Sequence, residues 1–314
     1  MADLAAEPTM WVVTTRKAVN GARADPWFGS ERATQMSIAR VKLASPALAG
    51  RFSLAATGLV DWQIERVERV PSLSASQLFA GGDLRDVLMY VHGYNQTFAS
   101  ATLDAARLAD AVNFHGHTLL FSWPSSNKLL DYLGDRESAL WSRDAFESTL
   151  ESLLANPSVG HVHIVAHSMG SMLTTEGLRE IYARYADRAA DKMGAIVFAS
   201  PDLDIGIFSS SVRRMPRLAH RMTIVIATDD RALAVVGKVA GATRVGSAEK
   251  AKLEALGLTV IDASGLGWGI LNHDLFLRNA RVQELIARAI TESMSSQRGD
   301  GAFFNRTALP SEER

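Results

Sequence analysis

From residue 87 onward, short and mostly apolar runs alternate with longer stretches in which apolar residues recur every three or four places. The runs are VLMYV (87–91), TLLFSW (118–123), HVHIVA (161–166), AIVFA (195–199), TIVIA (223–227) and LTVI (258–261). A short run apolar on both faces suits a parallel strand covered by helices. Between the first two runs, Ala101, Ala105, Leu108, Ala109 and Val112 form one helical stripe, with Asp104, Arg107 and Asp110 off it. A charged helix is expected over about 136–155. Another follows Ser168, burying Leu178, Ile181, Tyr182 and Tyr185. A last one opens near Asp274, with Val282, Leu285, Ile286 and Ala289 inward. Asn272 or Asp274 is its expected cap. The alternation predicts an α/β fold with a mostly parallel central sheet and helices on both faces. Ligands in such sheets bind at the carboxyl ends of the strands.

Before residue 80 the pattern differs. Two β-rich stretches, 10–15 and 61–70, flank a region that carries Gly and Pro and reads as irregular. The whole is expected to form one domain with a β-rich N-terminal extension. Its core covers about 10–293, and 1–9 and 295–314 are expected to fray.

Net charge is −1, and no basic run of five or more occurs, so no nucleic-acid partner is expected. Cysteine is absent, which removes disulfides and thiol catalysis. The N-terminus carries Asp3 and Glu7 without a basic segment before an apolar one, and no run of 18 apolar residues occurs. A cytoplasmic protein without integral membrane association is expected.

The sharpest chemical signal is Ala166-x-Ser168-x-Gly170, between a strand pattern and a helix pattern. A tight strand-to-helix turn lifts a serine hydroxyl into the open and needs small residues two before and two after it. Ser168 is therefore the candidate nucleophile. His92 and Gly93 end the first strong strand, and a glycine there lets the next loop approach the serine. The backbone N–H groups of Tyr94 and Met169 become the candidate oxyanion donors. His92 itself reads as a structural hydrogen-bonding residue.

A general base is sought among eight histidines. His161 and His163 lie too early in the serine's own strand, and His167 is turned away from the hydroxyl. His115, His117 and His220 precede strands, at the wrong edge. No third ligand accompanies the pairs His115/His117 and His161/His163, so no metal is expected. His273, in LNHDLF after the final strand, remains as the base. The acid lies either in the loop of Asp202 and Asp204 or in that of Asp229 and Asp230.

The motifs YVHGYNQTF, FSWPS, AHSMGS, ASPDLD and DDRAL occur in this order. Together they resemble a bacterial family of α/β-hydrolases catalogued as domain of unknown function 900, over roughly residues 10–290. The resemblance implies the α/β-hydrolase fold, a Ser–His–acid triad and no cofactor, and it points to the Asp within DRAL. The fold also takes its acid most often from the later strand, so Asp230 is chosen ahead of Asp229 and Asp202. Asp202 then becomes a helix cap or turn former beside Pro201. The expected activity is that of a carboxylesterase acting on a small-molecule ester of short to medium acyl chain through an acyl-enzyme. A lipase, thioesterase or amidase would use the same residues. The alternative from another class is a binding protein on a hydrolase fold that has lost catalysis. Dinucleotide binding is not expected, since no glycine-rich phosphate loop follows an early strand.

Overall fold

Nine strands form one sheet in the computed structural model, which describes residues 8–20, 24–45, 61–70, 75–128, 131–230, 233, 243–266 and 274–295. In chain order they are β1 (Thr9–Ala18), β2 (Phe28–Ala44), β3 (Gln63–Arg69), β4 (Arg85–Val91), β5 (His117–Ser122), β6 (Val159–His167), β7 (Met193–Ala199), β8 (Met222–Ile226) and β9 (Thr259–Asp262). Their spatial order is β3-β2-β1-β5-β4-β6-β7-β8-β9. Pairing is antiparallel between β1 and β2 and between β2 and β3, and parallel from β1 through β9.

The helices are α1 (Phe98–Ala111), α2 (Tyr132–Trp141), α3 (Arg143–Ala155), α4 (Gly170–Lys192), α5 (Ile205–Arg213), α6 (Pro216–Ala219), α7 (Lys250–Glu254), α8 (Leu275–Arg278) and α9 (Ala280–Ser295). Successive strand residues point to opposite faces, and the central strands carry buried apolar residues on both, so each feeds two cores. On one side Met89, Phe121, Ile164 and Phe198 pack with Phe146 of α3 and Leu173 of α4. On the other, Leu88, Tyr90, Val165 and Val197 pack with Leu108 of α1, Phe276 of α8 and Ile286 of α9. Burial of each such side chain contributes about 1.5–3 kcal/mol.

Three expectations are corrected. Part of the region expected to be irregular is the 17-residue strand β2. After the buried Phe28 its first half is largely exposed and polar, and the buried residues resume at Ile38, Ala39, Val41 and Leu43. An antiparallel strand with one solvated face need not be apolar throughout, which hides it from a search for apolar runs. The helix expected over 136–155 is two helices, α2 and α3, meeting at Ser142. The cap of the last helix is also a different residue: Oδ1 of Asn279 accepts the N–H groups of Arg281 and Val282 at 3.0 and 3.2 Å.

Candidate active site

Strand β6 ends at His167 and α4 begins at Gly170, leaving Ser168 in the turn with φ +51°. That left-handed backbone is strained for a residue with a Cβ, by about 1–2 kcal/mol. Surrounding contacts enforce it. The Ser168 N–H donates to the Ala199 carbonyl at 3.0 Å, and the Ser168 carbonyl accepts from Asp202 at 3.1 Å and from Ser171 at 3.0 Å. The serine is thus tied to the end of β7 before it and to α4 after it.

Small residues are required on both sides. A Cβ at position 170 would lie 2.4 Å from the His92 carbonyl oxygen. One at position 93 would lie 2.9 Å from both the Ser168 Cβ and Nδ1 of His167. The loop leaving β4 therefore runs directly against the serine turn. It ends in a capping box at Thr97 and Ser100, which starts α1.

His92 anchors the start of this loop. Its ring is buried, stacks on Trp123 at 4.7 Å, and faces the carbonyls of Gly93 (2.8 Å) and Trp123 (3.1 Å). Trp123 Nε1 in turn donates to the His92 carbonyl at 2.8 Å. Burial, assisted by the nearby Arg16 charge, pulls the imidazole down to about 3, so it is neutral at physiological pH. The ring of the neighbouring Tyr94 meets that of Tyr132 edge-on at 5.6 Å.

The three candidate acids have different surroundings. Asp202 is buried, accepts a hydrogen bond from Tyr132 Oη at 2.7 Å, and stands 3.2 Å from Nε of the buried Arg244. It does not cap α5. That role belongs to Asp204, whose Oδ1 accepts the Ile207 N–H at 2.9 Å. Asp229 is exposed and accepts the Gly265 N–H at 3.2 Å. Asp230 is 1% exposed, and its Oδ1 accepts the Leu233 N–H at 3.1 Å. It follows β8, two strands from β6, at the same edge of the sheet as Ser168. His273 lies outside the described residues. The next residue, Asp274, is the N-cap of α8.

The other histidines have different surroundings. His161 and His163 flank Asp86 at 3.3 and 3.8 Å, near the opposite edge of the sheet. Burial opposes ionisation of Asp86, but the two imidazoles and the His161 backbone N–H, which donates at 2.7 Å, outweigh it and hold the carboxyl well below the usual range. His117 stacks on Phe79 at 4.2 Å. The ring of His167 packs on Phe276 at 4.7 Å. Among the described residues no group of three or more His, Asp or Glu is arranged to hold a metal ion. Among them, too, no helix is long and apolar enough to cross a membrane.

The strand order, the serine turn after β6 and the glycine loop after β4 are those of an α/β hydrolase. Residues 77–289 match the family described as alpha/beta hydrolase of unknown function (DUF900). The chain belongs to this family. The matched span starts after β3, so the three N-terminal strands of this α/β hydrolase lie outside it while joining the same sheet. An uncharacterised protein of Nostoc sp., alr1448, is 28% identical over 123 residues, which are 31% of this chain and 32% of that protein. The match thus spans about a third of the relative's length. Among solved structures, Est1E from Butyrivibrio proteoclasticus aligns with 84% of this chain and 96% of its own at 12% identity and TM-score 0.43. An esterase from Rhizomucor miehei aligns with 92% of this chain and 85% of its own at 11% identity and TM-score 0.40.

The loop-holding residues around Tyr94 were missed from sequence. Arg16, Asp135, Tyr132 and Arg244 contact the turn and its neighbouring loops from remote parts of the chain. The one local signal was Arg16 itself, a cation directly after the apolar and threonine-rich run MWVVTT of β1.

Proposed function

We propose that this α/β hydrolase is a serine esterase that cleaves carboxylic esters of short to medium acyl chain. Ser168 Oγ attacks the ester carbonyl while His273 takes its proton. The tetrahedral oxyanion is held by the N–H groups of Tyr94 and Met169. Collapse expels the alcohol, which takes the proton back from His273. Water, activated by the same imidazole, then releases the acid and regenerates the serine. Asp230 orients the imidazole and stabilises its cation.

The observation that carries this reading is the strained Ser168 at the strand-to-helix turn, with the Gly93 loop packed against it. A strained residue whose conformation is enforced from several sides is a pointer to function. Asp230 is favoured by burial at the right edge of the sheet, whereas Asp202 is engaged by Tyr132 and Arg244 and Asp229 faces solvent. His273 is favoured by its position in sequence after β9 and by the placement of His161, His163 and His117 away from the serine turn.

The test combines covalent labelling with a fluorophosphonate and turnover of p-nitrophenyl esters of graded length. The expected result is an adduct on Ser168 and highest kcat/KM on soluble esters, both abolished in Ser168→Ala. Absence of the adduct, with no ester turnover, would favour a binding protein on this fold.

A further inference from the structure

Two buried charges grip the loop that carries Tyr94, and one of them lies on β1, outside the span matched by the family. Arg16 is 1% exposed. Its Nη2 donates to the Gln96 carbonyl at 2.7 Å, and its Nη1 donates to the carbonyls of Ser125 at 3.1 Å and Gly29 at 3.2 Å. Its Nε donates to Ser122 Oγ at 2.9 Å. From the other flank comes Asp135 of α2, also 1% exposed. It accepts the Ser126 N–H at 2.6 Å, the Ser125 hydroxyl, and the Asn95 N–H at 3.5 Å. Ser125 Oγ closes the circuit by accepting the Gln96 N–H at 3.1 Å. The three peptides immediately after Tyr94 are therefore held by groups from β1, α2 and the loop after β5.

Stability does not by itself call for this arrangement. Replacing buried charges with apolar residues of similar volume is often neutral or stabilising. A guanidinium presents its N–H groups in a fixed planar fork, and here that fork sets the spacing between the Gln96 and Ser125 carbonyls. Asn95, one residue before Gln96, has φ +60°, a left-handed conformation that asparagine adopts more readily than other residues with a Cβ.

We propose that Arg16, with Asp135 across the loop, is a positioning residue for the oxyanion hole: it fixes the 94–97 backbone so that the Tyr94 N–H meets the developing oxyanion. This rests on the serine-esterase reading above. It makes the N-terminal strands part of the catalytic apparatus rather than an appendage to it.

The experiment compares Arg16→Met and Arg16→Lys with the wild-type chain, after a fluorophosphonate adduct on wild-type Ser168 has been sought. Arg16→Met should lose about a hundredfold in kcat, as removal of an oxyanion donor does, with KM changed less than about threefold. Affinity for a trifluoromethyl ketone, which forms a tetrahedral adduct with the serine, should fall by the same factor as kcat/KM. A purely structural role would leave the ratio of ketone to substrate affinity unchanged. Arg16→Lys should recover part of the loss, since one ammonium can answer some of the carbonyls. Should Arg16→Met not fold, Ser125→Ala removes only the Gln96 N–H acceptor and one Asp135 partner, and should cost about tenfold in kcat at unchanged KM. A folded Arg16→Met with wild-type kcat and ketone affinity overturns the proposal, as does an unfolded one beside a fully active Ser125→Ala. Absence of the wild-type adduct instead removes the esterase reading, and this inference with it.

Discussion

Gly93 and Ser168 meet so closely that a single methyl group on residue 93 would stand 2.9 Å from the serine Cβ. The turn after β6 and the loop after β4 are thus fitted to one another, and the distance between the Ser168 hydroxyl and the Tyr94 N–H depends on that fit. Gly93→Ala should push the loop away and cost about 10²–10³ in kcat, the range for loss of an oxyanion donor. Overpacking of this kind also costs about 1–3 kcal/mol of stability. Ester turnover beside a thermal melt checks it, and a variant with unchanged kcat would show that the Tyr94 N–H is not used.

The strain at Ser168 predicts a trade between stability and activity. Glycine adopts φ +51° without the Cβ penalty, whereas alanine keeps it. Ser168→Gly should therefore be more stable than Ser168→Ala by about 1 kcal/mol, or roughly 1–2 °C in Tm for a chain of this size. Both should lose ester hydrolysis by several orders of magnitude, as removal of a triad nucleophile does. Equal melting temperatures for the two would mean that the turn relaxes in solution.

The strands β4 to β9 and the serine turn were readable because their physics is local. Each central strand is buried on both faces, so every residue in VLMYV or AIVFA is apolar, and the turn needs its small residues within two positions of Ser168. Strand β2 was not readable, since its exposed first half carries the polar residues expected of a loop. The supports of the site were hidden for another reason. Arg16 reaches Gln96 across 80 positions and Tyr132 reaches Asp202 across 70, contacts that only the folded sheet creates. Asp202 looked like a cap because it stands beside Pro201, yet the cap is Asp204, two residues later, at the residue that precedes α5. Proximity in sequence suggested the motif, and the start of the helix decided it.

His92 gives the fold a defined sensitivity to acid. Its folded value, about 3, lies below the reference of roughly 6.5. The unfolded state therefore binds the proton first as pH falls. The stability contributed by the neutral ring is fully present above about pH 6.5 and is lost progressively as pH falls towards 3. By pH 4.5 the loss amounts to about 2–3 kcal/mol. Burial also lowers His117, assisted by Arg85, and acts in the same direction. Asp86 is held well below the usual carboxylate range, so its contribution is lost only as pH falls below about 4. Melting temperature measured from pH 7 to 4.5 should decline, and His92→Gln should flatten that slope whatever it does to the absolute stability. Parallel slopes for the two proteins would remove His92 as the cause.

Asp202 and Asp230 are both buried at the carboxyl edge, yet their substitution should produce opposite signatures. The Asp202 carboxylate answers the Tyr132 hydroxyl and the buried Arg244 guanidinium. Asp202→Asn keeps an acceptor for Tyr132 but leaves Arg244 without a counter-charge. Breaking a buried ion pair in this way costs about 3–5 kcal/mol, and since an amide oxygen remains, the lower end is expected. If Asp230 orients His273, Asp230→Asn keeps the shape but presents an N–H donor where the imidazole N–H needs an acceptor. In serine proteases that exchange costs about 10⁴ in kcat, with little change in melting temperature. Measured side by side, Asp202→Asn should melt early yet turn over ester at near wild-type kcat below its melting point. Asp230→Asn should melt normally and be almost inactive. The reverse pattern would transfer the acid's role to Asp202 and make Tyr132 and Arg244 its supports, and inactivity of both variants with normal melting would mean that the two carboxylates act on the same imidazole.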